Sequence, residues 1–232
     1  MCARPSRTPR RSEPQSDMKN HEFFPVPQER ANTWTHLFGA VFALASIWLI
    51  WPSARLNWQM ALGVAFFVAG MFLMFLSSTL YHWAPKGRVK QALRKCDHIS
   101  IYVMIACSYS PICIGVVGGK LGWIAFAVQW FLVLSGTVYK LLALGRWPRL
   151  SLALYLAMGW SVVLIMRPVV KALTPLSMCL LVAEGLFYTV GTYFYAHDDR
   201  PSYHAIWHLF VLLGALAHWA VVLSIVLAHS GV

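Results

Sequence analysis

The chain has 232 residues, 59% of them hydrophobic and only 12% charged, with a formal net charge of +11. Soluble domains carry about 25% charged residues, so a water-soluble globule is excluded and a bilayer is the expected solvent. The basic excess lies in the connections between apolar segments, so it marks membrane topology, and no nucleic-acid partner is expected.

Residues 1–28 are rich in Arg, Pro and Ser and contain no apolar run. A secretory signal needs an apolar core of about 7–15 residues, so this stretch is predicted to be a disordered basic tail that includes His21. Residues 29–232 are predicted to form one membrane domain. A spanning helix needs about 20 apolar residues. Segments 33–51, 59–83, 98–117, 121–142, 150–167, 176–196 and 203–228 meet that length. The predicted fold is therefore an all-α integral membrane protein, a bundle of seven transmembrane helices.

Turn residues divide the segments. Pro52 and Asn57 bracket the first turn, and Pro85-Lys86-Gly87 ends the second helix. Gly118-Gly119 separates the third and fourth helices, Gly145 and Pro148 the next pair, and Pro168 and Pro175 the fifth and sixth. Asp198-Asp199-Arg200-Pro201-Ser202 precedes the last helix, with Ser202 as a predicted cap. Trp34, Trp51, Trp58, Trp83, Trp123 and Trp147 fall near segment ends, as interfacial aromatic belts do. The five cysteines have no CxxC spacing, and no disulfide framework is expected.

Of the 19 Lys and Arg, 15 lie before the first segment or in alternate connections, and 4 on the opposite side: Arg55, Lys120, Arg167 and Lys171. The positive-inside rule then predicts a cytosolic N-terminus, an outside C-terminus and residence in the cell membrane. That topology brings His36, His82, His98, His197, His204 and His208 to one side, six of the nine histidines, although no histidine entered the charge count.

Within this group, His204 and His208 are four residues apart, as are Ser78 and His82. Residues at that spacing share a helix face. Three imidazoles, His82, His204 and His208, suit a zinc ion, since catalytic zinc takes three protein ligands and keeps one open position. Ser78 is positioned to orient a ligand or a water, and Asp97 to accept a proton. His36 is expected to be a helix-packing hydrogen bonder, His98 to face neighbouring helices and His197 to be a solvated loop residue. Deeper in the bundle, Glu184 is the carboxylate well inside a segment. Its depth matches that of His218, which predicts a hydrogen bond between them.

These residues also carry a family likeness. The run Asn32-x-x-x-His36-x-x-Gly39, the segment Ser78-Thr-Leu-Tyr-His82, the run Cys96-Asp97-His98-Ile-Ser-Ile-Tyr102 leading to Tyr109-Ser-Pro111, and His204-Ala-Ile-Trp-His208-Leu-Phe resemble the hemolysin III family. That family lies within the progestin and adipoQ receptor (PAQR) group, and the likeness runs in order from about residue 29 to 228. It implies seven helices, a cytosolic N-terminus and a buried zinc held by His82, His204 and His208, with the family serine and aspartate at Ser78 and Asp97. The chain departs from many members at Cys107-Ser108, where they carry Gly-Thr.

The function expected from residues and resemblance together is zinc-dependent hydrolysis of a lipid amide or ester, with membrane lipids as partners. A receptor-like sensor of membrane state braced by structural zinc is the alternative. A pore-forming cytolysin ranks third, because Glu184 and His218 are too few polar groups to line a wide pore.

Overall fold

The computed structural model describes residues 27–229, so nearly all of the basic tail, His21 included, lies outside the described residues. Seven helical segments are long and apolar enough to cross a membrane, and no strand occurs among the described residues. The first span joins α1 (Pro27–Ala45) through a 3₁₀ turn to α2 (Ile50–Leu56), and α3 (Trp58–Trp83) is the second. The third is α4 (Arg88–Ser110), prolonged by a π-helical stretch at Pro111–Val117, and α5 (Gly119–Ala143) is the fourth. The fifth joins α6 (Pro148–Trp160) through a 3₁₀ stretch to α7 (Met166–Ala172), and α8 (Pro175–Ala196) and α9 (Tyr203–His229) complete the seven.

Two prolines that the sequence places in turns are helical. Pro52 and Pro168 each stand third in a short helix, α2 and α7. The first turn of a helix has no use for the missing N–H, so the chain runs on. The first turn instead falls at Asn57, whose extended backbone breaks the helix and whose side chain accepts the Met60 N–H at 2.7 Å. The second break falls just before α8, where the Thr174 side chain accepts the Ser177 N–H at 3.1 Å.

Two further expectations change. Segment 88–97, read as loop, belongs to α4, in keeping with its helix-forming Lys, Gln, Ala, Leu and Arg. Ser202 stands just before α9 with a φ of 67°, and its backbone carbonyl accepts the Ile206 N–H at 2.9 Å, but among the described residues its hydroxyl makes no capping hydrogen bond. Gly118 and Gly119, with φ of 59° and 53°, make the tight link into α5 in a backbone region that glycine enters freely.

α3 runs through the middle of the main core. Its Phe67, Met71 and Phe75 are fully buried with Ala43 of α1 and Ala215 and Val222 of α9. Small residues let the backbones close up, as is usual between membrane helices. A Cβ on Gly63 would stand 2.6 Å from the Pro111 Cα, and one on Gly70 would collide with Cys107. The outside of the bundle is apolar, and all six tryptophans assigned to the interfacial belts are exposed.

Candidate metal centre

The site is built at one end of the bundle by α1, α3, α4 and α9. α3 presents Ser78 and His82 one turn apart, and α9 presents His204 and His208 in the same way. One ligand atom from each of His82, His204 and His208 falls within a sphere where all three are within 4.8 Å of one another. The His82 ring centroid is 5.3 Å from that of His204 and 4.7 Å from that of His208, and His204 and His208 are 4.9 Å apart. His82 and His208 are buried, and His204 is partly open.

The chemistry of these donors fits a zinc ion. His82 Nδ1 donates to the Glu29 carboxylate at 2.6 Å. That bond fixes the tautomer and leaves Nε2 with a free lone pair, and Nε2 is buried without a hydrogen-bond partner. His208 Nδ1 is likewise buried and unpartnered. An unsatisfied buried nitrogen costs about 1–3 kcal/mol, and a shared cation removes that cost at both. His204 Nδ1 stands 3.6 Å from the Asp198 carboxylate. His82 thus has a carboxylate hydrogen-bonded to one nitrogen, the arrangement by which proteins orient zinc-binding histidines, and His204 has a carboxylate nearby beyond hydrogen-bond distance.

Ser78 is buried and lies against the Asp97 carboxylate. Asp97 is within electrostatic reach of His82, His204 and His36. It also stands 3.5 Å from His98 Nδ1, which bonds the Arg94 carbonyl at 2.9 Å. His98 therefore faces its own helix and not the histidine cluster. His197 bonds the Tyr193 carbonyl at 2.8 Å on the exposed end of α8.

His36 departs from its expected role. Its ring lies tilted against that of His208 with centroids 3.9 Å apart and meets Phe75 edge-on at 5.0 Å. Neither ring nitrogen makes a hydrogen bond, although the residue is buried. Its contribution is ring contact that fixes the plane of His208.

Sequence reasoning missed Glu29 and Asp198 as partners of the histidines. Glu29 was legible, because Glu29, Asn32 and His36 follow a three-then-four spacing that puts them on one face of α1. Asn32 Nδ2 lies 3.4 Å from His82 Nδ1, and Lys90 Nζ bridges back to Glu29 at 3.4 Å. Asp198 sits in the connection before α9, where spacing carries no orientation.

A cavity of about 270 Å³ leads away from this cluster between α4, α6, α8 and α9. Ser78, Asp97, His204 and His208 line it near the cluster, and apolar side chains such as Met104, Ile105, Leu156 and Leu181 line it further along. Glu184 and His218 also border it, and His218 Nδ1 bonds Glu184 Oε2 at 2.8 Å, the pairing expected from their depths.

Comparison with known proteins agrees with this architecture. Residues 24–219 match the family model described as haemolysin-III related. The chain is 35% identical over 204 residues to Hemolysin-3 of Bacillus cereus, covering 87% of this chain and 93% of that one. It is 36% identical over 203 residues to the Hemolysin-3 homolog of Bacillus subtilis (strain 168), covering 86% and 95%. It is 30% identical over 201 residues to the human monocyte to macrophage differentiation factor, covering 83% and 82%. With seven apolar spans, the ordered motifs and matches across most of its length, this chain belongs to the hemolysin III family of multi-pass membrane proteins, within the PAQR superfamily.

Proposed function

We propose that this protein is a membrane-embedded zinc hydrolase that cleaves an amide or ester bond in a lipid. The observation that carries the proposal is the cavity. It joins a largely apolar interior of about 270 Å³ to a carboxylate, a hydroxyl and two of three clustered histidines. A structural brace between α3 and α9 needs the histidines but has no use for that passage.

His82, His204 and His208 would hold the zinc. When bound, zinc supplies Lewis acidity at an open coordination position. Asp97 takes the proton from the attacking water as its oxygen bonds to the carbonyl carbon. It returns that proton to the leaving nitrogen or oxygen as the acyl bond breaks. Ser78 holds the Asp97 carboxylate in place, Glu29 holds the His82 ring, and His36 holds the plane of His208. The apolar lining excludes bulk water and admits the lipid chain.

The excess of basic residues on the side bearing the cluster supports a site near the cytosolic face of the cell membrane. A tag at residue 1 is then protected from external protease in intact cells, and a tag after Val232 is cleaved.

Purified full-length protein incubated with ceramide-like and N-acyl lipids should release free fatty acid, measured by mass spectrometry. Zinc-loaded protein that hydrolyses no lipid amide or ester would contradict the proposal and leave zinc as a brace in a membrane sensor.

A further inference from the structure

Besides the histidine cluster, the cavity has a second polar pole. Glu184 on α8 and His218 on α9 border it, with side chains only 13% and 3% exposed. Charged groups inside a span are costly and are kept where they face a partner or a cavity. His218 satisfies one carboxylate oxygen of Glu184 at 2.8 Å. No hydrogen bond to the other oxygen, Oε1, occurs among the described residues. Glu184 therefore retains acceptor capacity beside a largely apolar lumen, with His218 bonded to its other oxygen.

His218 lies ten residues beyond His208 on the same helix, about 15 Å along its axis at 1.5 Å per residue. The lining is largely apolar, with Met104, Ile105, Ile112 and Leu181 among its residues, and it also carries the hydroxyls of Ser108, Tyr109 and Tyr188. A ligand that fills this space has a polar group at the histidine end and a hydrocarbon middle. To match the far pole, it also carries a hydrogen-bond donor about 15 Å from the first group. Because His218 already partners one oxygen of Glu184, a single neutral donor such as a hydroxyl suits the remaining oxygen.

We propose that Glu184 is a specificity-determining residue, and that it accepts a hydrogen bond from a hydroxyl on the distal part of a lipid acyl chain. The preferred ligand class is thus a hydroxylated acyl chain. This rests on the lipid-cavity reading above, but not on turnover.

The test compares binding of dodecanoate and 12-hydroxydodecanoate to the full chain in nanodiscs, by calorimetry. An extended chain of about twelve carbons covers about the same 15 Å as ten helical residues. A terminal hydroxyl makes a chain more water-soluble, so without a partner it weakens binding to an apolar lumen. With Glu184 as acceptor, the hydroxy acid should bind about tenfold more tightly than dodecanoate. Glu184→Leu should abolish the preference and leave dodecanoate within about twofold. Glu184→Gln, which keeps an acceptor oxygen and the shape, should retain part of it. In the wild-type chain, 8-hydroxyoctanoate should show no preference over octanoate, because its hydroxyl stops short. Equal binding of the two twelve-carbon acids, or a preference that survives in Glu184→Leu, would overturn the inference and leave the cavity intact. No binding of either acid would overturn the lipid-cavity reading, and this inference with it.

Discussion

The two sides of the bundle are packed very differently. In the third span, 61% of the apolar stretch is buried, and in the second 50%, whereas in the fifth and sixth the shares are 22% and 11%. The site draws its parts unequally from these sides. Glu29, His36, Ser78, His82 and Asp97 come from α1, α3 and α4, which pack around the main core, while α6 and α8 contribute walls of the cavity. A Trp160–Thr189 hydrogen bond at 3.1 Å crosses between those two walls, and Gly159 and Gly185 beside it leave the lining thin. Metal ligands need fixed geometry, and lipid entry needs a wall that opens. Under the proposed function, dense packing and sparse packing divide those two tasks.

The largest expected effect lies on the dense side. Asp97→Asn keeps the shape of the carboxylate but cannot accept a proton. It should lower turnover by about 10²–10⁴-fold while zinc content and protein yield stay near wild type. A loss of turnover that merely follows protein abundance would make Asp97 structural.

Next is the carboxylate on His82. Glu29→Gln should lower zinc affinity about 10–100-fold, as measured by competition with a chelator, because the His82 ring loses its anchor. An unchanged affinity would reduce Glu29 to a partner of Lys90.

A pair of glycine substitutions probes packing itself. At Gly63 a methyl group meets the Pro111 backbone, so Gly63→Ala should destabilise the protein by about 1–3 kcal/mol in thermal or denaturant unfolding. At Gly159 an added Cβ has nothing within 4 Å, and Gly159→Ala should be neutral or stabilising by up to about 1 kcal/mol. Equal losses at both positions would erase the contrast between the two sides.

The smallest effect is expected at Ser78. In the proposed mechanism its hydroxyl steadies Asp97 without touching the reacting atoms, so Ser78→Ala should reduce turnover by no more than about tenfold and leave zinc in place.

Much of this division could be read from the chain. Segment length and hydropathy gave seven spans, because a bilayer imposes length on a helix. The i, i+4 spacings of Ser78–His82 and His204–His208, combined with alternating helix direction, brought four groups to one depth. The pairing of Glu184 with His218 came from depth alone. What stayed hidden depends on rotation about the helix axes, which an almost uniformly apolar sequence does not encode. Thus the His36 ring lies tilted against His208 where a hydrogen bond was expected. Lys140, counted with the cytosolic connections, is buried and donates to Ser151 at 2.7 Å. The prolines at 52 and 168 misled because a turn signal and a first-turn helix position use the same residue.

The central claim is that His82, His204 and His208 converge on one metal ion. The most direct test is the zinc content of purified full-length protein, by mass spectrometry of the metal, for the wild type and for single alanine variants at each histidine. About one zinc per chain is expected in the wild type, with loss in His82→Ala, His204→Ala and His208→Ala and a parallel fall in thermal stability, since metal held only by the folded state adds to it. His218→Ala should keep its zinc. Full zinc retention in the double variant His204→Ala/His208→Ala would contradict the account.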